Sequence, residues 1–328
     1  MSNLPAWPDP LPPPKSTTPL VDDVSRLSST PVASVFQPTS EEELIAILQD
    51  CMEKNMPICP RGTQHSMGGH STPGEKGVSI DMKYLRTISY CPTSQTVTCG
   101  PGCLWADLIV YLDKYGRGPH TMQSYCTFSV GGTLSVNAHG ITTDDTMSSC
   151  VESMRIAVVT GDEPVVQTVR PGDELFKHVL GGYGLFAVIV SATLLTSPNH
   201  TLTPSSLQLK IPGGEFHRVY QSVLSDPNVC VKIARLNILD GLQTAQLILF
   251  TKASPTPSSS INLGLTPRGM NIKTQLLYKW AMPALRELRY SVEKTTGQAI
   301  DMTGGQSLTR NELLFESAVP LAKVRSVE

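Results

Sequence analysis

The residues best placed to do chemistry in this chain lie in two glycine-rich stretches. Residues 61–70 read Arg-Gly-Thr-Gln-His-Ser-Met-Gly-Gly-His, a turn whose consecutive backbone amides can wrap an anionic group such as a pyrophosphate. The second stretch, Ser124 to Gly140, holds Gly131, Gly132, Ala138 and Gly140 and shows neither a helical nor a strand period. Small residues in such a run let a ligand approach the backbone closely. His65, His70 and His139 stand in these stretches and also admit a metal, but zinc needs three or four ligands at defined spacing and no carboxylate or Cys completes a set. A third run, Gly182-Tyr-Gly184-Leu-Phe-Ala187, fits the G-x-G-x-x-A pattern of a dinucleotide-binding turn. Its context is reversed: that turn follows a strand and opens a helix, whereas here a helical pattern precedes and a β-branched strand follows. The G-x-x-x-x-G-K-[ST] pattern does not occur, which excludes a P-loop.

These stretches must hang from short strands and helices. Residues 32–38 form a β-branched and aromatic run, and Ser40 with Glu43 makes a capping box ahead of the apolar stripe Leu44, Ile45 and Leu48, so a strand leads into a helix ending near Asn55. Residues 56–60 begin a second strand that runs into the histidine-bearing loop, and 77–82 a third. Residues 96–102 read as a strand closed by a tight turn, followed by an amphipathic helix over 104–116 with Gly116 past its end. A hairpin over 154–169, a short helix over 173–180 and a strand over 185–195 complete this part. Short strands interleaved irregularly with helices make the class α+β rather than doubly wound. Beyond Pro198 the pattern becomes ordinary: strands over 206–211, 229–239 and 245–253, a helix over 215–224, and a long helix over about 273–294 interrupted by Pro283. The expected organisation is a proline-rich arm (1–30), one domain over 31–200 and another over 201–328.

With 26 basic against 28 acidic residues and a net charge of −2, the chain has no overall electrostatic pull toward nucleic acid or anionic lipid. Charged residues make up only 16%, below the roughly 25% of ordinary domains, as if some surface were covered by a cofactor, another subunit or further chain. None of the eight cysteines shows a Cys-x-x-Cys spacing, and most of them read as small buried hydrophobes in a reducing compartment. The N-terminal residues lack the basic and apolar regions of a secretory signal, so an intracellular, cytoplasmic location is expected. The uncharged stretch Val179 to Asn199 includes three glycines and Pro198, and reads as a buried strand with flanking turns rather than a membrane span. Asn199-His-Thr201 matches a glycosylation sequon, read here as chance.

Four motifs stand in order: R-G-x-x-H-S-x-x-G from Arg61 to Gly69, V-x-x-G-x-G-x-x-W-x-D-L from Val97 to Leu108, S-V-G-G-x-x-x-x-x-x-H-G from Ser129 to Gly140, and G-x-G-x-x-x-V-I from Gly182 to Ile189. Together they resemble the PCMH-type FAD-binding domain of the vanillyl-alcohol oxidase family of flavoproteins, nearest its aldonolactone oxidase, alditol oxidase and cytokinin dehydrogenase branches. The resemblance covers about residues 20–200, and Asp23-Val-Ser-Arg-Leu27 also resembles the segment before the family's first strand. It implies an α+β FAD-binding domain of two α+β subdomains followed by a partial α+β cap. It assigns to FAD the residues Arg61, Gly62, Thr63, Gln64, His65, Ser66, Ser129, Val130, Gly131, Gly132, Ser135, His139, Gly140 and Ile189, with the amides of Arg61 to Ser66 and Ser129 to Gly132 flanking the pyrophosphate. His65 matches the position that in many relatives bonds covalently to the flavin 8α-methyl; the other role open to it is a neutral hydrogen-bonding residue beside the ring.

Two departures stand out within the motifs. Cys126 is near the second, cysteinyl link of a bicovalent subgroup, but one residue too close to Gly131-Gly132. Ala187 replaces a usual glycine. Relatives also follow the cap with a segment that returns to the flavin domain carrying catalytic residues; here Ser307 to Glu316 is expected as a late cap segment, and no catalytic base is assigned. The activity implied is oxidation of an alcohol group of a small molecule of the sugar, alditol or aldonolactone class, with hydride passing to flavin N5 and oxygen or another carrier as acceptor. No nucleic-acid partner, metal or transmembrane segment is expected. The second reading is a flavin-binding chain without turnover that serves as an interaction subunit.

Overall fold

The structure, a computed structural model, describes residues 18–27, 29–142, 144–161, 163–237, 240–253 and 307–316. Strands β1 (Leu20–Val21) and β2 (Thr30–Pro31) pair antiparallel as a small strap, so part of the expected arm is ordered chain. β3 (Ser34–Phe36), α1 (Glu41–Glu53), β4 (Ile58–Arg61) and β5 (Val78–Asp81) follow, and the three strands form a parallel sheet in the order β3-β5-β4. α1 starts where Ser40 Oγ accepts the Glu43 N–H at 3.2 Å, while the Glu43 carboxylate accepts the Thr39 N–H at 2.7 Å; two free donors at the helix start are thus satisfied. Leu44, Leu48 and Cys51 of α1 bury against Val78 and Ile80. Parallel neighbours cannot be joined by a tight turn, so the chain between β4 and β5 must cross the sheet end. The segment 62–77 does this without a helix, and it is the loop that carries His65.

The second sheet is antiparallel. It contains β6 (Ile88–Cys91), β7 (Thr96–Cys99), β9 (Val151–Thr160), β10 (Glu163–Val169) and β11 (Val188–Pro198) in the order β10-β9-β11-β7-β6, with β8 (Arg117–Pro119) on the end of β11. Helices α2 (Trp105–Asp113), α3 (Val130–Ser135) and α4 (Glu174–Val179) complete it. Ile189, Ala192 and Leu194 of β11 join Trp105, Leu108, Leu112, Met154 and Ile156 in one core, while Val188 and Val190 join the α1 core with Ala157. The start of β11, residues 188–190, is apolar without a break because both its faces are covered there. Among the described residues no helix is long and apolar enough to cross a membrane. The Arg155 guanidinium grips the Glu41 carboxylate through two hydrogen bonds of 2.7 Å, tying the second sheet to α1. α3 lies in the stretch where no period is read: it is too short to show one, and it is pinned from outside by the Trp105 indole N–H, which donates to Thr133 Oγ1 at 3.0 Å.

The third sheet is made by β12 (Thr201–Lys210), β13 (Val229–Leu236), β14 (Thr244–Lys252) and β15 (Leu308–Thr309), in the order β13-β14-β12-β15. α5 (Glu215–Leu224) covers one face through Val223 packed with Leu209, Leu247 and Leu249. The segment expected as late cap turns out to bridge the two domains. It forms β15 and then α6 (Arg310–Glu316). Leu313 packs with Val231, Ile248 and Phe250 of the third sheet, whereas Leu314, one helical step away, is buried in the Trp105 core. Consecutive helical residues point about 100° apart, which lets one helix serve two cores. Asn311 Nδ2 donates to Asp113 Oδ1 and to the Arg117 carbonyl, both at 2.8 Å, and its N–H donates to Asn199 Oδ1 at 2.9 Å. Asn199 Nδ2 in turn donates to Asp113 Oδ1 at 2.9 Å. The sequon asparagine is therefore a structural residue with both ends of its amide committed. The arm's residues 1–17 and the helix expected over 273–294 lie outside the described residues.

Leu314→Ala should lower stability by about 2–5 kcal/mol, the usual cost of a buried leucine, seen as a lower urea midpoint. A loss under about 0.5 kcal/mol, typical of a surface site, would show that α6 does not dock.

Candidate cofactor site

A cavity of about 230 Å³ opens where the 62–77 loop, α3 with the chain leading into it, and the turn before β11 meet. Eleven of the residues assigned from sequence line it: Arg61 to Ser66, Ser129, Gly131, Gly132, Ser135 and Ile189. Three do not. Val130 turns its side chain into the Trp105 core, and its N–H donates to the Cys103 carbonyl at 2.8 Å. His139 is exposed, with Nδ1 3.2 Å from the Gly140 carbonyl, because the chain there pairs with Thr146 and alternates its sides, sending Ala138 to the cavity and His139 outward. Gly140 donates its N–H to the Asp145 carbonyl at 2.8 Å. The expected row of free amides over Ser129 to Gly132 is likewise interrupted, since the Gly131 N–H donates to the Pro101 carbonyl at 2.9 Å.

The glycines are there for close approach. A Cβ on Gly62 would collide with Ser129 Oγ, and one on Gly131 would lie 2.7 Å from Pro101 Cβ. Gly184 is left-handed at φ +76°, a backbone conformation that favours glycine. Before His65 the backbone of Gln64 is left-handed at φ +58°, and the His65 ring stands 4.3 Å from that of Phe128, centroid to centroid. Phe128, Pro101, Met82, Tyr183 and His70 also line the cavity and were not assigned from sequence; only the small-residue character of 124–140 pointed near Phe128. His70 and Tyr183 pair at 5.5 Å. Burial pulls the Arg61 guanidinium pKa down, while the Asp81 carboxylate, 3.5 Å from Nη2, pushes it back up. Cys126 is off the cavity: it is 4% exposed, its thiol faces the Phe315 carbonyl at 3.5 Å, and burial pushes its pKa up to about 11. A second flavin link through Cys126 does not fit this placement. The 182–187 turn stands after α4 and before β11, the order opposite to a dinucleotide-binding turn.

A family model described as an FAD binding domain matches residues 32–167. A mitochondrial D-lactate dehydrogenase [cytochrome] of Arabidopsis thaliana is 31% identical over 184 residues, covering 51% of this chain and 31% of its own length. Cytokinin dehydrogenase 7 of Oryza sativa subsp. japonica is 29% identical over 192 residues, covering 56% of this chain and 36% of its own. The chain thus spans about a third of the length of these curated relatives. Among solved structures, a cholesterol oxidase from Brevibacterium sterolicum matches with a TM-score of 0.63 at 18% identity, over 98% of this chain and 61% of the other, a likeness of fold. The residues present fit FAD: two glycine-rich segments, at positions where a Cβ would clash, present a backbone cradle for a diphosphate beside the Arg61 guanidinium.

Gly131→Ala must displace α3 or Pro101, and overpacking of this kind costs about 1–3 kcal/mol; FAD affinity, followed by flavin fluorescence, should fall at least about tenfold with an unchanged circular dichroism spectrum. Affinity equal to wild type would refute the cradle. Thiol reactivity should follow burial. Cys91, exposed and lowered by hydrogen bonds from Ser94, should be alkylated at neutral pH well before Cys126, as read by peptide mass spectrometry.

Proposed function

We propose that the chain, whose residues 32–167 match an FAD binding domain, is an FAD-dependent oxidoreductase of the PCMH-type flavoprotein family that oxidises an alcohol group of a sugar, alditol or aldonolactone, its flavin bonded through His65. The observation that carries this reading is the convergence of the His65 loop, the 128–138 segment and the start of β11 on one cavity. The bound flavin would supply hydride acceptance at N5 and return of the electrons to oxygen or another acceptor.

The chain's own residues hold and orient. The loop over Arg61 to Ser66, with Ser129 and Gly132, binds the diphosphate through backbone and hydroxyl donors, and the Arg61 guanidinium adds positive charge. Phe128 holds the His65 imidazole on one side and, with Met82 and Ile189, keeps water from the cavity wall. An imidazole held in one orientation directs one ring nitrogen at its target, which would suit a bond to the flavin 8α carbon made with loss of one 8α hydrogen and of the imidazole proton, the two electrons left on the flavin passing to oxygen or the other acceptor. The relatives are named for D-lactate, cytokinin and cholesterol, so the donor class proposed here rests on the ordered motifs rather than on any one relative.

The test is the visible spectrum before and after acid precipitation, with His65→Ala alongside. Wild-type protein should keep its yellow colour and flavin fluorescence in the pellet, and the variant should release flavin to the supernatant. Wild-type flavin that is wholly released removes the covalent link. Reduction of the bound flavin by any of a panel of aldonolactones, alditols and sugars, with a dye acceptor to follow turnover, supports the donor class; a panel that leaves it oxidised overturns that class and moves the flavin-binding subunit without turnover to the front.

A further inference from the structure

We infer that Asp23 is a positioning residue for His65, so that the cofactor-holding unit of this chain begins with the strap at residue 20 rather than at residue 32. The inference rests on the reading of His65 as the flavin-bearing residue. In the 62–77 loop, two residues have a left-handed backbone, Gln64 at φ +58° and Gly69 at φ +75°. Such a conformation is disfavoured for a residue with a Cβ, so Gln64 needs support from outside, and His65 follows it directly in the chain. Both left-handed residues are gripped by the strap. The Val24 N–H donates to the Gln64 carbonyl at 2.9 Å. Five residues on, the Gly69 N–H donates to Asp23 Oδ2 at 2.8 Å. Between these two holds lie His65 and Ser66, and Ser66 Oγ meets Ser71 Oγ at 2.8 Å to close the loop on itself.

The carboxylate is committed at both oxygens. Asp23 Oδ1 accepts the Ser25 N–H at 2.9 Å and the Ser25 hydroxyl at 2.5 Å, and the side chain is 5% exposed. Burial pushes its pKa up, but the hydrogen bonds from Ser25 and Gly69 outweigh burial and hold it below the ordinary carboxylate value. An ionised carboxylate offers acceptors only, so it satisfies the donors of Ser25 on one oxygen and that of Gly69 on the other. Asn at this position has nearly the same shape but must turn an NH₂ toward one of those donors. Because Asn can turn its NH₂ to Ser25 and keep its oxygen on the Gly69 N–H, the variant that breaks the grip is Asp23→Ala, which accepts from neither. The strap lies outside the matched residues 32–167, so the family match alone does not point to this contact.

The experiment compares full-length wild type and Asp23→Ala, each prepared as apoprotein and then mixed with saturating FAD. Hydrogen exchange of peptides covering 64–71 is followed in the apoprotein, and acid-precipitable flavin is followed with time after mixing. Loss of a charge-assisted hydrogen bond is worth at least about tenfold in a local equilibrium. The variant should exchange 64–71 at least about tenfold faster, with peptides of α5 unchanged, and should form acid-stable flavin at least about tenfold more slowly. Wild-type exchange at 64–71, attachment at the wild-type rate, or faster exchange throughout the chain would each overturn the inference, the last by making Asp23 a general stabiliser. Wild-type protein that forms no acid-stable flavin would overturn the covalent reading of His65 instead, and the exchange arm alone would then decide whether Asp23 positions the loop.

Discussion

Gly62 and Ser129 approach so closely that a Cβ on the glycine would strike the serine hydroxyl, and much of the domain architecture can be read as what that approach demands. The two residues belong to different cores. Gly62 leaves β4 of the parallel sheet, and Ser129 stands before α3, which is docked on the Trp105 core. Two bodies holding backbone against backbone need a rigid shared element, and β11 supplies it by giving Ile189 to one core and Val188 with Val190 to the other. The Arg155 to Glu41 pair adds a second tie on the surface, but at that exposure an ion pair contributes little. The apolar sharing of β11 is the stronger link.

The same device recurs at the other end of the flavin domain. β11 runs on through Asn199 into β12, and α6 lies in the corner so formed, with Leu313 and Leu314 divided between two cores. The polar part of this joint is Asp113, Asn199 and Asn311: Asp113 Oδ1 accepts from both amides and Asn199 Oδ1 accepts the Asn311 N–H, while Asn311 Oδ1 is buried without a hydrogen-bond partner. Arg310 beside them is different: it is 4% exposed, Nη2 donates to the His120 carbonyl at 2.6 Å, and burial pulls its pKa down to about 10. Burying a guanidinium without a carboxylate partner costs stability, and the apolar burial of Leu313 and Leu314 is what offsets that cost at the joint.

What was legible in the sequence divides along physical lines. Period and capping exposed α1, α5, β11, β13 and β14, since each has an apolar face long enough to repeat. β6 and β8 were too short to repeat, and α3 is held by Trp105 and by carbonyls of residues 101 and 103, contacts distant from its own composition. In the site, eleven of the fourteen residues assigned through the family resemblance line the cavity, because its ordered motifs mark the two glycine-rich segments that meet there. His139 and Val130 fail for a different reason: a motif match marks a segment, while the alternation of sides within it depends on a bridge to Thr146 and on a hydrogen bond to Cys103. Ser307 to Glu316 adds a strand to the third sheet, as a late cap segment would, but its second anchor in the Trp105 core was not legible because Leu313 and Leu314 look alike in sequence and part company only in space.

This asymmetry explains why the cofactor is readable and the substrate is not. A backbone cradle needs two chain segments packed tightly together, so it constrains where side chains must be absent, and Gly62 against Ser129 and Gly131 against Pro101 are two such places. An alcohol donor is recognised by side chains arriving from several elements, and any of many residue types can supply a donor, an acceptor or an apolar wall. No spacing rule survives that freedom. In this chain the elements beyond β11 carry an ordinary sheet and helix pattern with a core on each face of the sheet, so their sequence is dominated by packing. The setting of the third sheet is made by α6 and the Asp113, Asn199 and Asn311 joint, whose residues are spread over most of the chain and show no pattern until the fold brings them together.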